Sequence, residues 1–279
     1  MSSLNTARTR QRALLIAALL TLTAIVIAGA GASTGAKTLR GAARPTIVLV
    51  HGDWADASSW TGEVERLQDR GYTVVAPPNP LRGPAEDASY LSSYLQTIPG
   101  PIVLVSHSYG GFVATNAATG NPNIKALVYI DAFMPDQGDT LLNLTVSGNS
   151  CITPDALNPV PYNGGVDLYL RWDANGVYPG YTQCFANEVD PKQAAVLFAE
   201  QRPAAAAQFS EPSGPPAWKA IPSWALIGTQ DHVIPLALQE QMASRAGARV
   251  STINAGHLSL VTNPEQVTNT ILAAVRATS

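Results

Sequence analysis

The chain is poor in the residues that hold metals and bind nucleic acids. Two cysteines, Cys151 and Cys184, and four histidines are scattered through 279 residues. Neither set has the paired spacing of a zinc or iron–sulfur site, so no metal and no cofactor is expected. Charged residues make up only 13%, with 17 basic against 20 acidic and a net charge of −3. Beyond the N-terminus there is no Lys/Arg-rich run, which argues against a nucleic-acid partner. With 46% hydrophobic residues, and 22 glycines and 21 prolines free of any repeat, the composition excludes a disordered, collagen-like or coiled-coil chain. A chain of this length can bury a sizeable core as one α/β domain.

Acids are also missing from the first 36 residues. Arg8, Arg10 and Arg12 precede an apolar stretch from Ala13 to about Ala28, which runs into the small residues Gly29 to Ala36. That three-part layout is a secretory signal peptide. Cleavage fits after Ala32 or Ala36, with Ala36 preferred, leaving residues 37–279 as the mature domain. The competing reading is an uncleaved membrane anchor, since Ala13 to Ala32 is 20 residues, enough to span a bilayer. A secreted or extracytoplasmic chain without stable membrane association follows if the leader is removed. In an oxidising compartment a lone pair of cysteines reads as a disulfide, here Cys151 with Cys184.

After the leader, short continuous apolar runs alternate with amphipathic ones. Thr46–Val50, Tyr72–Val75, Ile102–Val105, Ala126–Ile130, Trp224–Ile227 and Val250–Ile253 read as strands of a buried parallel sheet. Helices are expected around Trp60–Leu67, Ala85–Leu95, Gly110–Ala118, Pro235–Ala246 and Pro264–Ala277. The fold class is therefore α/β, a mostly parallel sheet flanked by helices. Pro135 to Pro222 interrupts the alternation. It has one clear helix, opening at Asp190-Pro191, and no strong strand signal. It is too long for a loop and reads as an inserted cap.

Chemistry is expected at the strand ends. Pro101 to Val113 spells a strand, a tight turn at Ser108 and a helix, flanked by the small residues Ser106 and Gly110. A strained turn of this kind exposes a serine as a nucleophile, and its neighbours must be small for strand and helix to approach. Serine needs a base. His257, on a loop between the last strand and the last helix, is the candidate; His107 should point away, His51 serves the backbone, and His232 is a rival. The base needs an acid to fix its tautomer, and Asp231 is preferred over Asp131, each near a strand end. A tetrahedral oxyanion would need two N–H donors, expected from Tyr109 after the nucleophile and from Asp53 in the turn after the first strand.

The segments Val48–Gly52, Ser106–Gly111, Gly228–Asp231 and Ala255–His257 together resemble the α/β-hydrolase superfamily over about Pro45 to Ala277. The order Ser108, Asp231, His257 is the order of that fold. Within it the chain is most similar to the small serine esterases that include plant methyl esterases and hydroxynitrile lyases. Ser106 replaces the usual elbow glycine, and Asp53 puts a carboxyl beside the expected oxyanion hole. The resemblance implies a serine carboxylesterase acting through an acyl-enzyme on a small or medium ester or lactone. Two alternatives are a hydroxynitrile lyase and a silent binding protein on the same fold. The lyases carry a lysine right after the base, where Leu258 stands here. Trp54, Tyr109, Phe133, Tyr169, Trp172, Tyr178 and Phe198 are candidates to line a substrate pocket.

Overall fold

A computed structural model describes residues 43–172 and 180–278. The leader expected over residues 1–36 and its cleavage point lie outside them. Among the described residues no helix is long and apolar enough to cross a membrane.

Six strands form one all-parallel sheet. They are β1 (Thr46–Val50), β2 (Val74–Val75), β3 (Ile102–Ser108), β4 (Ile124–Ala132), β8 (Ser223–Gly228) and β9 (Arg249–Ile253), in the order β2-β1-β3-β4-β8-β9. Helices α1 (Thr61–Asp69), α2 (Pro84–Gln96), α3 (Gly110–Ala117) and α6 (Leu236–Arg245) lie between successive strands, and the short α7 (Ser259–Thr262) and α8 (Pro264–Thr278) follow β9. β3 and β8 are buried at every position and β4 at all but one. A strand covered on both faces has no use for alternation, hence its continuous apolar sequence. Ile47, Val48 and Leu49 have no exposed surface, and cutting the leucine to alanine would cost about 2–5 kcal/mol. The edge strand β9 is exposed at four of its five residues, and accordingly polar.

β2 flanks β1 on one side and β3 on the other, so the chain reverses its winding direction between β1 and β3. The crevice at the C-terminal ends of strands flanking such a switch point is where doubly wound sheets bind ligands. Those ends carry Asp53 and Ser108.

The segment between β4 and β8 differs from expectation. Besides α5 (Pro191–Glu200), capped by Asp190 as its sequence implied, it holds α4 (Leu141–Gly148) and a second, antiparallel sheet. That sheet is β5 (Leu157–Tyr162), β6 (Gly165–Leu170) and β7 (Ala204–Ala205). Pro159 and Pro161 mask β5, yet prolines are tolerated on an edge strand. β7 is too short to leave a pattern. Cys151 and Cys184 are joined by a disulfide, with 5.8 Å between their Cα atoms.

Candidate active site

β3 ends at Ser108, which has φ of +52°, the left-handed strain expected of a serine at a tight strand-to-helix turn. Close packing makes room for that turn. A Cβ on Gly110 would meet the Val50 carbonyl oxygen at 2.7 Å, and one on Gly52 would meet the Ser108 Cβ at 2.6 Å. Glycine at both positions lets the loop after β1 lie directly against Ser108. Ser106, 1% exposed, is small enough to serve where a glycine was expected.

Ser108, Asp231 and His257 come together. His257 Nε2 lies 3.0 Å from Ser108 Oγ, and His257 Nδ1 lies 2.9 Å from Asp231 Oδ2. All three are buried. Burial lowers the His257 pKa, favouring the neutral ring that accepts a proton. Burial raises Asp231. Opposing it, the Val233 and Ile234 amides donate to Oδ1 at 2.8 and 2.9 Å, and Gln239 Nε2 donates to Oδ2 at 2.8 Å. Those donors favour the ionised carboxylate that would fix the imidazole tautomer.

The other candidates stand elsewhere. Asp131 accepts from the Gly228 amide at 2.6 Å and from Ser259 Oγ, not from His257. Burial and the neighbouring Asp231 push its carboxyl well above the usual range. It ties the end of β8 to the start of α7. His232 is exposed, with Nδ1 3.2 Å from the Gln183 carbonyl oxygen. His107 turns away from Ser108, and its Nε2 donates to the His257 carbonyl at 2.9 Å; burial keeps the ring neutral. His51 accepts from the Asn79 amide at 3.0 Å and donates through Nδ1 to the Gly52 carbonyl at 2.9 Å, shaping the loop after β1.

The amides of Asp53 and Tyr109 have no acceptor among the described residues. The Asp53 carboxylate turns to the inserted segment, where Gln208 Nε2 donates to Oδ2 at 2.7 Å. Oδ1 is buried with no partner among the described residues. Burial, reinforced by Asp87, pushes the Asp53 carboxyl up to about 7. A group neutral below that pH puts no full charge beside an oxyanion. Tyr109 is anchored in its turn by donating from its hydroxyl to Asp87 Oδ2 at 2.7 Å.

Of the aromatic candidates, Trp54 lines a shallow depression with Tyr181, Phe185, Leu197, Leu258 and Val261, whose lining does not include Ser108. Trp172 and Phe198 pack on Tyr181 instead, 6.2 and 5.3 Å between ring centroids. Tyr109 and Phe133 pack against Phe112, Tyr169 is half-buried on β6, and Tyr178 lies outside the described residues. Sequence reasoning missed Gln208, Gln239 and Phe185, whose ring is 5.3 Å from that of His257; no local pattern marks them.

Comparison with known proteins agrees with this architecture. A carbendazim hydrolyzing esterase of Nocardioides sp. (strain SG-4G) is 34% identical over 110 residues, which is 35% of this chain and 46% of that enzyme. The match thus spans under half the length of that relative. A pyrethroid hydrolase from Sphingobium faniae JZ-2 superposes with a TM-score of 0.67 at 22% identity, covering 84% of this chain and 98% of the other. Polyneuridine aldehyde esterase gives a TM-score of 0.67 at 19% identity, covering 83% and 99%. At such identities the two structures speak for the fold alone, a mostly parallel sheet flanked by helices. The model of the alpha/beta hydrolase family matches residues 47–270, and the chain belongs to that family.

Proposed function

We propose that this protein is an exported serine esterase that cleaves a small or medium carboxylic ester or lactone through an acyl-enzyme. One observation carries the reading. Ser108, His257 and Asp231 form a buried hydrogen-bonded chain at 3.0 and 2.9 Å, and the amides of Asp53, on the loop after β1, and of Tyr109, the residue after Ser108, have no acceptor among the described residues. The kinship with a carbendazim hydrolyzing esterase supports ester chemistry.

In the proposed reaction Ser108 Oγ attacks the ester carbonyl while His257 Nε2 takes its proton. The carbonyl oxygen becomes an oxyanion and accepts from the Asp53 and Tyr109 amides. The C–O bond then breaks, and His257 returns the proton to the departing alcohol. Water, deprotonated by the same imidazole, attacks the acyl carbon; the bond to Ser108 Oγ breaks, the acid leaves and His257 returns the proton to Oγ. Ser108 is only 4% exposed, so the segment over residues 135–222 acts as a cap that shifts to admit substrate. Leu258, 2% exposed, supplies no ammonium beside the base, which favours hydrolysis over cyanohydrin cleavage. The disulfide and the arginine-led apolar leader favour export with cleavage of the leader, which N-terminal sequencing of the exported protein checks.

A fluorophosphonate probe is expected to label Ser108, and a screen of p-nitrophenyl esters of rising chain length, an aromatic ester and a lactone to reveal turnover that Ser108→Ala abolishes. Full activity in that variant would overturn the mechanism.

A further inference from the structure

The last turn of the disulfide-bonded segment touches both loops that present the proposed acid and base. Asn187, three residues past Cys184, is the contact. Its Nδ2 donates to the Gln230 carbonyl at 2.8 Å, immediately before Asp231. Its Oδ1 accepts from the His257 amide at 3.4 Å. One side-chain amide thus bridges the loop after β8 to the loop after β9. The fit is tight. A Cβ on Gly256 would come within 2.5 Å of Asn187 Oδ1 and 2.6 Å of its Nδ2, so a side chain at position 256 would expel the amide.

What holds Asn187 in place is the segment bearing it, and that segment is fastened to the same acid loop. The Cys151 amide donates to the His232 carbonyl at 2.9 Å, and the Gln183 carbonyl meets His232 Nδ1 at 3.2 Å. The residues on which the two half-cystine segments converge therefore adjoin Asp231. Between the bridge and Asn187 lies Phe185, 1% exposed, with its ring against that of His257.

We infer that Asn187 is a positioning residue that sets the His257 loop against the Asp231 loop, and that the Cys151–Cys184 disulfide anchors the segment from which it does so. The inference rests on the triad reading above. Asn187 touches no reacting atom. Its contribution is the spacing between base and acid, and through it the activation of Ser108. Displacement by about 1 Å at a reacting centre costs on the order of 10²-fold, so the effect belongs in the rate of Ser108 acylation. Substrate affinity, set by other surfaces, should change little.

The test measures the second-order rate at which a fluorophosphonate labels Ser108, together with kcat and KM on the best ester, for wild type, Asn187→Ala and Gly256→Ala. Asn187→Ala is expected to slow labelling and kcat by roughly 10- to 100-fold, with KM within about twofold and the melting temperature nearly unchanged, because Asn187 is half-buried and outside the core. Gly256→Ala, which keeps the asparagine but pushes its amide out, should reproduce the loss. Dithiothreitol should slow labelling of wild type and have little further effect on Asn187→Ala, since both changes act through one contact. Labelling of Asn187→Ala at the wild-type rate would overturn the inference, as would a loss that tracks the melting temperature. Reduction that slows both proteins by the same factor would overturn the role given to the disulfide. A wild-type protein that neither reacts with the probe nor hydrolyses any ester would instead sink the esterase reading itself.

Discussion

In the parallel sheet, β3 and β8 are buried along their whole length, whereas in the inserted segment five of the six residues of β5 face solvent. The two regions are held by different means. The sheet is fixed by ladders and by apolar side chains packed on both faces. The insertion relies on discrete pins: the disulfide, the Trp172–Tyr181–Phe198 cluster, the half-exposed Arg82–Asp167 ion pair at 2.8 Å and the Trp54 indole donating to the Leu168 carbonyl at 2.9 Å. An exposed ion pair adds little stability, so the few buried pins matter most. A region held at points can shift while the sheet keeps its geometry. In the proposed enzyme the sheet supplies Ser108 and the loops of Asp53, Asp231 and His257, while the insertion touches those loops through Gln208, Phe185 and Asn187.

The largest expected effect lies on the sheet side. Replacing the acid of a triad costs on the order of 10⁴-fold in turnover by leaving the base in the wrong tautomer, so Asp231→Asn should lose activity by that order. Asp131→Asn should lose under about tenfold, because its carboxyl is already held towards the neutral form that asparagine imitates. Measured kcat values for both variants decide it. The reverse ranking would move the acid to the end of β4 and break the division drawn here.

An intermediate effect is expected from the insertion. The disulfide spans a sequence separation of 33, for which loop-closure entropy gives about 3–4 kcal/mol. In the Cys151→Ser, Cys184→Ser protein, hydrogen exchange should accelerate in α4, α5 and β5 to β7 while amides of β1, β3 and β4 keep their protection. Equal acceleration in both regions would mean that they open as one unit.

The smallest effect sits where the two regions meet, at Asp53. Its carboxyl, raised to about 7 by burial, is neutral below that pH and ionised above it. Ionisation brings a negative charge next to the proposed oxyanion and opposes it, so kcat/KM should fall above about pH 7, by several-fold. Neutral His257, its pKa lowered by burial, sets the acid limb below the usual imidazole range. Asp53→Asn should abolish the alkaline fall while keeping the acid limb. The same ionisation acts on stability. Because the folded pKa is raised above the ordinary 3.8, the favourable contribution is complete below about pH 3.8 and is lost as pH rises through about 7.

The sheet was readable because burial on both faces leaves continuous apolar runs, and because Ser106, Ser108 and Gly110 obey steric rules that are local in sequence. Strand ends were less readable: β3 and β4 run on through His107-Ser108 and Asp131-Ala132, where polar residues break the apolar run. The β5–β6 hairpin did leave a signal. Asn163-Gly164 joins Tyr162 to Gly165, a dipeptide suited to a tight hairpin turn, and Val166, Leu168 and Leu170 alternate after it; Pro159 and Pro161 hid the partner strand. Gln208 and Asn187 could not be read at all, since each acts on a residue brought to it only by the tertiary fold; Gln239 lies eight residues past Asp231, but no local pattern aims it there. Asp231 was preferred over Asp131 for its place on the loop after a strand, but what Asp131 does instead, bridging Gly228 and Ser259, depends on the tertiary fold.

In the proposed reaction Ser108 carries the acyl group during turnover. Acid quenching of the enzyme during reaction with a p-nitrophenyl ester, followed by peptide mass mapping, should find the acyl group on the tryptic peptide containing Ser108, and no adduct in Ser108→Ala. Ester turnover without that adduct, or with the acyl group on another residue, would contradict the account.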